Sequence, residues 1–321
     1  MCAALQRNAG RAKNRAMTPA AVSVSSALDL RRHRLAMAAL VFGALAIGAA
    51  PILVRLTQTG AAAAGFWRLF FALPLLAIVG WRSEGAVLGR PSRAMLIAGV
   101  MFALDLGCWH YGIRLTSVAN ATVLPNLTPV LVTLAGWLFL HERPRRIFVI
   151  GMVAAVSGAA LMAMATSKGA SPGANPHLGD ALSAATALWY SLYFLAVRQA
   201  RKEHTATRVM TWSSLAGAPI LLAIALVMGE DLTPAGAAGW AALAGLGVVH
   251  VAGQGSIAWA LGRLPASTAA VVVLIQPVAA ALLAWTLFGE ILTPLQAAGG
   301  ALALAGVVIA QVRPPIRPAE V

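Results

Sequence analysis

The chain has 321 residues, 60% of them hydrophobic and 11% charged, with a formal net charge of +14. A water-soluble domain carries about 25% charged residues, so this composition excludes a soluble globular protein and makes a bilayer the solvent. The basic excess lies in a tail and in short loops, which points to membrane orientation and not to nucleic acid.

Residues 1–34 are rich in Ala, Ser and Arg, and Arg7, Arg11, Lys13 and Arg15 precede the first acid, Asp29. They read as a basic, disordered tail or an over-extended start, with Met17 and Met37 as alternative starts. A transit-like or signal-like segment is the other reading, against which they lack the apolar run of ~7–15 residues that a secretory signal needs. Apolar stretches then alternate with short polar breaks. A spanning helix needs ~20 residues, and the chain divides into ten: 35–55, 62–80, 94–113, 117–139, 146–165, 178–197, 208–228, 237–261, 266–288 and 294–312. The expected fold is an all-α integral membrane protein. With the N-terminus inside, most Lys and Arg fall on the inner loops, including Arg82, Arg90, Arg143, Arg145, Arg201 and Lys202. Only Arg55, Arg114 and Lys168 fall outside. That bias places both termini in the cytoplasm of a bacterial inner membrane.

The segment 117–163 recurs 148 positions later as 265–311 without a gap. Pro129 falls on Pro277, Trp137 on Trp285, Glu142 on Glu290, Gly151 on Gly299 and Gly158 on Gly306. Matches of Pro, Trp, Glu and Gly in register mark an internal duplication. The expected layout is a tail (1–34), a first five-helix repeat (35–165), a linker (166–177), a second repeat (178–312) and a C-terminal tail (313–321). Five is odd, so the second repeat enters the membrane inverted. The loop HERPRR after the fourth span is basic, whereas its counterpart GEILTP carries no Lys or Arg. Inverted repeats of this kind are the architecture of secondary transporters, which bind substrate near the midplane between the halves.

The stretches TSVANATVLPNLTPVLVTLAGWLFLHERP and LPASTAAVVVLIQPVAAALLAWTLFGE, with WHYGIRLTSVAN and its partner IAWALGRLPAST, resemble the drug/metabolite transporter superfamily, EamA type. The resemblance covers about 35–313 and implies a ten-helix permease. GALAIGAAPILVRL followed by FWRLFFALPLL is most similar to the amino-acid and metabolite exporter branch.

Polar groups inside spans are costly and are functional candidates by default. Arg68 and Asp105 lie at similar depth in the second and third spans. They read as a structural ion pair, as a site for the two ends of a zwitterion, or as a coupling group in which Asp105 carries a proton. His250 and Gln254, four residues apart in the eighth span, share a helix face. Asn126 and Gln276 lie about ten residues into the fourth and ninth spans, just before Pro129 and Pro277. Each proline frees the carbonyl four residues back, which makes these two breaks candidate cavity walls; interhelical hydrogen bonding is the plainer account. Trp189, Tyr190 and Tyr193 cluster in the sixth span and serve either as a stacking surface for substrate or as helix packing.

The expected function is export of a small neutral or zwitterionic metabolite, such as an amino acid, by alternating access. One Arg, one Asp, amides and aromatics suit such a ligand, and a phosphate-ester carrier would need more cations in its spans. Efflux of drugs or other metabolites, import, a non-transporting scaffold and an intramembrane enzyme are the alternatives. The expected partners are the substrate, the lipid bilayer and, if transport is coupled, protons, with no nucleic acid. Cys2 and Cys108 offer no metal or disulfide spacing, and no cofactor is expected.

Overall fold

The structure is a computed structural model that describes residues 19–85, 88–116, 124–140, 143–166, 175–288 and 293–312. Its helices are α1 (Pro19–Ile47), α2 (Ala50–Leu56), α3 (Ala61–Glu84), α4 (Arg93–Leu115), α5 (Thr128–Leu140), α6 (Arg146–Thr166), α7 (Pro176–Ala200), α8 (Ala206–Val227), α9 (Ala237–Val249), α10 (Gly255–Leu261), α11 (Ala266–Val273), α12 (Gln276–Phe288) and α13 (Pro294–Gln311). Among the described residues nine helical stretches are long and apolar enough to cross a membrane, and Pro125–Phe139 is a shorter apolar helix at the place of the fourth span. The outer surface is apolar: Trp81 is 71% exposed, Phe139 78% and Val227 85%. Such a surface is compatible with lipid and not with water.

The first helix begins at Pro19, inside the stretch expected to be disordered. Residues 19–34 contain no glycine and no proline beyond the first position, so little opposes helix there. Arg32 and Asp29 also pair at 3.9 Å one turn apart. Residues 1–18 lie outside the described residues, as do Glu142, Glu290 and Lys168. The first span is interrupted at Gly48 and Ala49 and restarts as α2 with Pro51 in its first turn.

Two breaks fall at repeat-equivalent positions. A 3-10 turn, Pro125–Leu127, precedes α5. In the ninth span α11 stops at Val273 and α12 starts at Gln276. The interruption, Leu274 and Ile275, falls on Asn126 and Leu127 under the 148-residue shift. In each case the following helix carries the proline, Pro129 or Pro277, whose missing N–H cannot continue the preceding turn.

The inversion is visible where equivalent helices meet. α6 and α13 pack so closely that a Cβ on Gly151 would stand 2.7 Å from the Gly306 carbonyl oxygen, and one on Gly158 would stand 2.6 Å from that of Gly299. Reciprocally, a Cβ on Gly306 would stand 2.6 Å from the Gly151 oxygen, and one on Gly299 would stand 2.8 Å from the Gly158 oxygen. Early residues of α6 meet late residues of α13, so the helices run antiparallel. Equivalent helices of a parallel repeat could not meet that way. Small residues let the backbones approach, as is usual between helices in lipid.

Candidate functional site

The site lies where α3, α4, α7, the eighth span and the ninth-span break converge. Arg68 comes from α3, about two turns inside its start, and is 7% exposed. Asp105 comes from α4 and is 8% exposed. The eighth span is continuous in length but changes pitch: α9 ends at Val249, a π turn runs from His250 to Gln254, and α10 follows. Such wide turns concentrate at functional sites, because one extra residue re-aims the side chains around it. Space for it comes from α1, where a Cβ on Gly43 would stand 2.6 Å from the Gly253 carbonyl oxygen.

His250 and Gln254 are each 1% exposed. His250 Nε2 stands 3.3 Å from Ser214 Oγ on α8, and its ring centre lies 5.4 Å from that of Phe102. Tyr193, also 1% exposed, lies against Phe102 at 4.9 Å and stacks on Tyr190 at 5.8 Å with 8° between the planes. Gln254 faces both tyrosine hydroxyls, and Gln276 faces that of Tyr190. Trp189 turns toward Cys108 on α4. Tyr190, Tyr193 and the eighth-span pair thus form one cluster around Phe102, a residue that the sequence reading did not single out, and Trp189 lies outside it.

Of the three readings of Arg68 and Asp105, the ion pair is not seen as a contact, although the two groups feel each other at a distance. Among the described residues no bridge within 4.0 Å joins Arg68 to Asp105. The Arg68 guanidinium instead lies 5.5 Å from the centre of the Phe102 ring, one turn before Asp105 on α4. The aromatic face holds the cation and leaves Asp105 to interact with it only through space.

Several donors in this cluster are unused. Arg68 Nε, Gln254 Nε2 and Gln276 Nε2 are buried and make no hydrogen bond among the described residues, nor does His250 Nδ1. Asn126 Nδ2 is likewise buried and unbonded. Unmet buried donors cost about 1–3 kcal/mol each, so those gathered around Phe102 make that cluster the candidate surface for another molecule's acceptors. The two breaks differ here. In the first repeat the carbonyl freed by Pro129 is that of Pro125, and Thr128 Oγ1 donates to it at 2.7 Å. Ser191 Oγ on α7 then reaches the Thr128 carbonyl at 3.4 Å. In the second repeat Gln276 stands at the position of Thr128 and turns its amide toward Tyr190. The structure therefore ties Thr128, between Asn126 and Pro129, to α7, and brings Gln276, next to Pro277, beside Tyr190.

Two further contacts hold the ends of the molecule. At one end Glu230, in the loop between α8 and α9, accepts from the Ala63 N–H at 2.9 Å and from the Tyr111 hydroxyl at 2.7 Å. Beside it Trp67 Nε1 donates to the Leu232 carbonyl at 2.7 Å. At the other end Trp212 Nε1 donates to the Gly89 carbonyl at 2.9 Å. Trp67 and Trp212 occupy corresponding places in the second and seventh spans, so each repeat's tryptophan clasps a loop of the other repeat. Their separation of 145 positions, against 148 for the later spans, is the signal that a gapless repeat search passes over. His110 is buried and packs on Trp109 at 5.0 Å, and Asp180 accepts from Thr116 Oγ1 at 2.6 Å near the start of α7. Among the described residues no three His, Cys, Asp or Glu side chains gather as a metal site.

The model of the EamA-like transporter family matches residues 34–164 and again 177–311. An uncharacterized transporter of Archaeoglobus fulgidus is 29% identical over 87% of this chain and 97% of its own length. The pseudopaline exporter CntI of Pseudomonas aeruginosa is 31% identical over 69% of this chain and 76% of its own. A probable terminal-alkyne amino-acid exporter of Streptantibioticus cattleyicolor is 29% identical over 59% and 63%. A solved crystal structure superposes with a TM-score of 0.71 over 85% of this chain and 95% of that one, at 19% identity.

Proposed function

The chain belongs to the EamA-like transporter family, within the drug/metabolite transporter superfamily, and on that premise we propose that it exports a small zwitterionic metabolite of the amino-acid type. The observation that carries this reading is the uneven pairing around Phe102. Among the described residues Arg68 Nε, Gln254 Nε2 and Gln276 Nε2 are donors without acceptors, and Asp105 is an acid without a cation in contact. A carboxylate at Arg68 and the amides, with an ammonium at Asp105, completes both sets. The accessible part of the Tyr190 ring, backed by Tyr193, takes the apolar part of the ligand. Two relatives carry exporter names, one of them for an amino acid, which supports both the direction and the class.

Transport then follows from symmetry. The halves 35–165 and 178–312 rock against each other about the antiparallel α6–α13 crossing, and the two tryptophan clasps open in turn. Both termini face the cytoplasm in this reading, and the protein sits in a bacterial inner membrane. The direct test is a thermal-shift screen of amino acids on purified protein, followed by flux into proteoliposomes. At least one zwitterionic amino acid should raise the melting midpoint and cross the bilayer. A panel in which only cationic or apolar drugs do so would overturn the reading.

A further inference from the structure

We propose that the chain carries a second ligand site, a pocket for a phosphate-bearing anion at the end of the molecule where α7 and α10 stop. The pocket has a volume of about 390 Å³ and is lined by Arg198, Arg201, Lys202 and Arg263, with Leu264 and Pro265 among its apolar walls. It is separate from the cluster around Phe102 and does not depend on the transport reading.

The pocket is built and not merely charged. Arg201 Nε donates to the Ala258 carbonyl at 3.0 Å, and its Nη1 donates to the His204 carbonyl. These bonds pin the end of α7 to α10. Arg263 lies flat on Trp259, with Cζ 3.6 Å from the ring centre, and donates to the Trp259 carbonyl at 3.0 Å. Gly262 makes the approach possible, because a Cβ there would stand 2.8 Å from Arg201 Nη2.

Carbonyls and a ring orient these guanidiniums without neutralising them. Among the described residues no carboxylate lies within 4.0 Å of Arg201, Lys202 or Arg263. Burial holds the Arg201 guanidinium below its ordinary value and nearby Arg263 depresses it further, while Glu84 offsets part of the effect from a distance. Cations held together without a counter-ion repel one another, and an oxyanion relieves that repulsion. Planar guanidinium forks fit phosphate oxygens bidentately. The volume leaves room for more than a bare phosphate, and Leu264 and Pro265 suit the alkyl part of a lipid headgroup. Basic pockets between membrane helices on the cytoplasmic side bind such headgroups. The phosphate is therefore either the phosphodiester of an anionic lipid or a soluble phosphate.

The full chain in phosphatidylcholine nanodiscs distinguishes the two. In one arm phosphatidylglycerol replaces part of the lipid, and native mass spectrometry counts retained molecules. In the other, inorganic phosphate is titrated against chloride at matched ionic strength, with the melting midpoint as readout. Retention of phosphatidylglycerol without an effect of free phosphate assigns the lipid, and a phosphate-specific rise assigns the soluble anion. Lys202→Gln with Arg263→Gln, both at exposed positions, should weaken either response by about 30-fold, from roughly 1 kcal/mol per cation. Arg263→Lys should restore part of it. Equal behaviour of phosphate and chloride on the native protein, together with no preference for phosphatidylglycerol, overturns the proposal. So does a double variant that binds as tightly as the native chain.

Discussion

Gly158 and Gly299 meet backbone to backbone in the antiparallel crossing of α6 and α13, and each would place a Cβ within 2.8 Å of the other's carbonyl oxygen. Gly151 and Gly306 repeat the contact elsewhere along the same pair of helices. Backbone atoms cannot rotate away as a long side chain can. Gly158→Leu should therefore force the helices apart and cost about 1–3 kcal/mol or more. Chemical or thermal unfolding in detergent measures this, and Gly299→Leu should cost a similar amount because the two positions exchange under the repeat. Gly85→Leu, where nothing lies within 4 Å, is not an equal control, since its φ of 67° is itself unfavourable for a side chain.

Among the described residues no cation touches Asp105, so its neutralisation should not unfold the protein. Breaking a buried contact pair typically costs ~3–5 kcal/mol. Asp105→Asn should instead leave stability within about 1 kcal/mol of the native chain, because no contact pair is broken. Ligand-induced stabilisation and counterflow exchange should both disappear if the carboxylate receives the substrate ammonium. Loss of uphill flux with exchange intact would instead assign Asp105 to proton coupling.

Arg68→Leu tests the other end of the ligand. The variant removes a cation held over Phe102 and leaves Gln254 and Gln276 in place. Binding of zwitterionic amino acids should weaken at least tenfold, about 1.4 kcal/mol, while amines lacking a carboxylate keep whatever affinity they have. Titration calorimetry or scintillation proximity on both ligand types decides this.

Glu230 closes one end of the molecule by accepting from both Ala63 and Tyr111. Hydrogen bonds to a charged group contribute about 1.5–3 kcal/mol. Tyr111→Phe should therefore shift the open–closed balance at that end by about tenfold or more. In a cysteine-free background carrying Thr59→Cys, maleimide labelling should speed up correspondingly, with no change for a cysteine placed near the Trp212–Gly89 contact. Unchanged labelling at Thr59→Cys would show that Glu230 is not a latch.

Orientation is checked separately. In intact cells Asp231→Cys should be modified by an impermeant reagent, and Arg145→Cys should be spared until permeabilisation. The opposite pattern would reverse the proposed sidedness.

The sequence by itself determined the solvent, the class of element, the duplication and its inversion. Each of these rests on one-dimensional patterns. Runs of about twenty apolar residues admit only helices in lipid. A match such as Gly151 with Gly299 survives without a structure, and an odd number of spans per repeat inverts the second. The transporter family was also legible there, in the stretches around Pro129 and Pro277. The site was only partly so. Arg68, Asp105, Gln254 and Gln276 were visible as polar atoms in apolar runs, but their partners were not, because partners come from helices far apart in the chain. Phe102 is one more apolar residue in a list, until packing sets it between Arg68, Tyr193 and His250. The same packing keeps Arg68 and Asp105 out of contact, where equal depth left an ion pair as one of three readings. Depth fixes one coordinate of a side chain, whereas contact requires the helix rotations and crossing angles, and those are decided by close approaches such as Gly43 to Gly253 and Gly158 to Gly299.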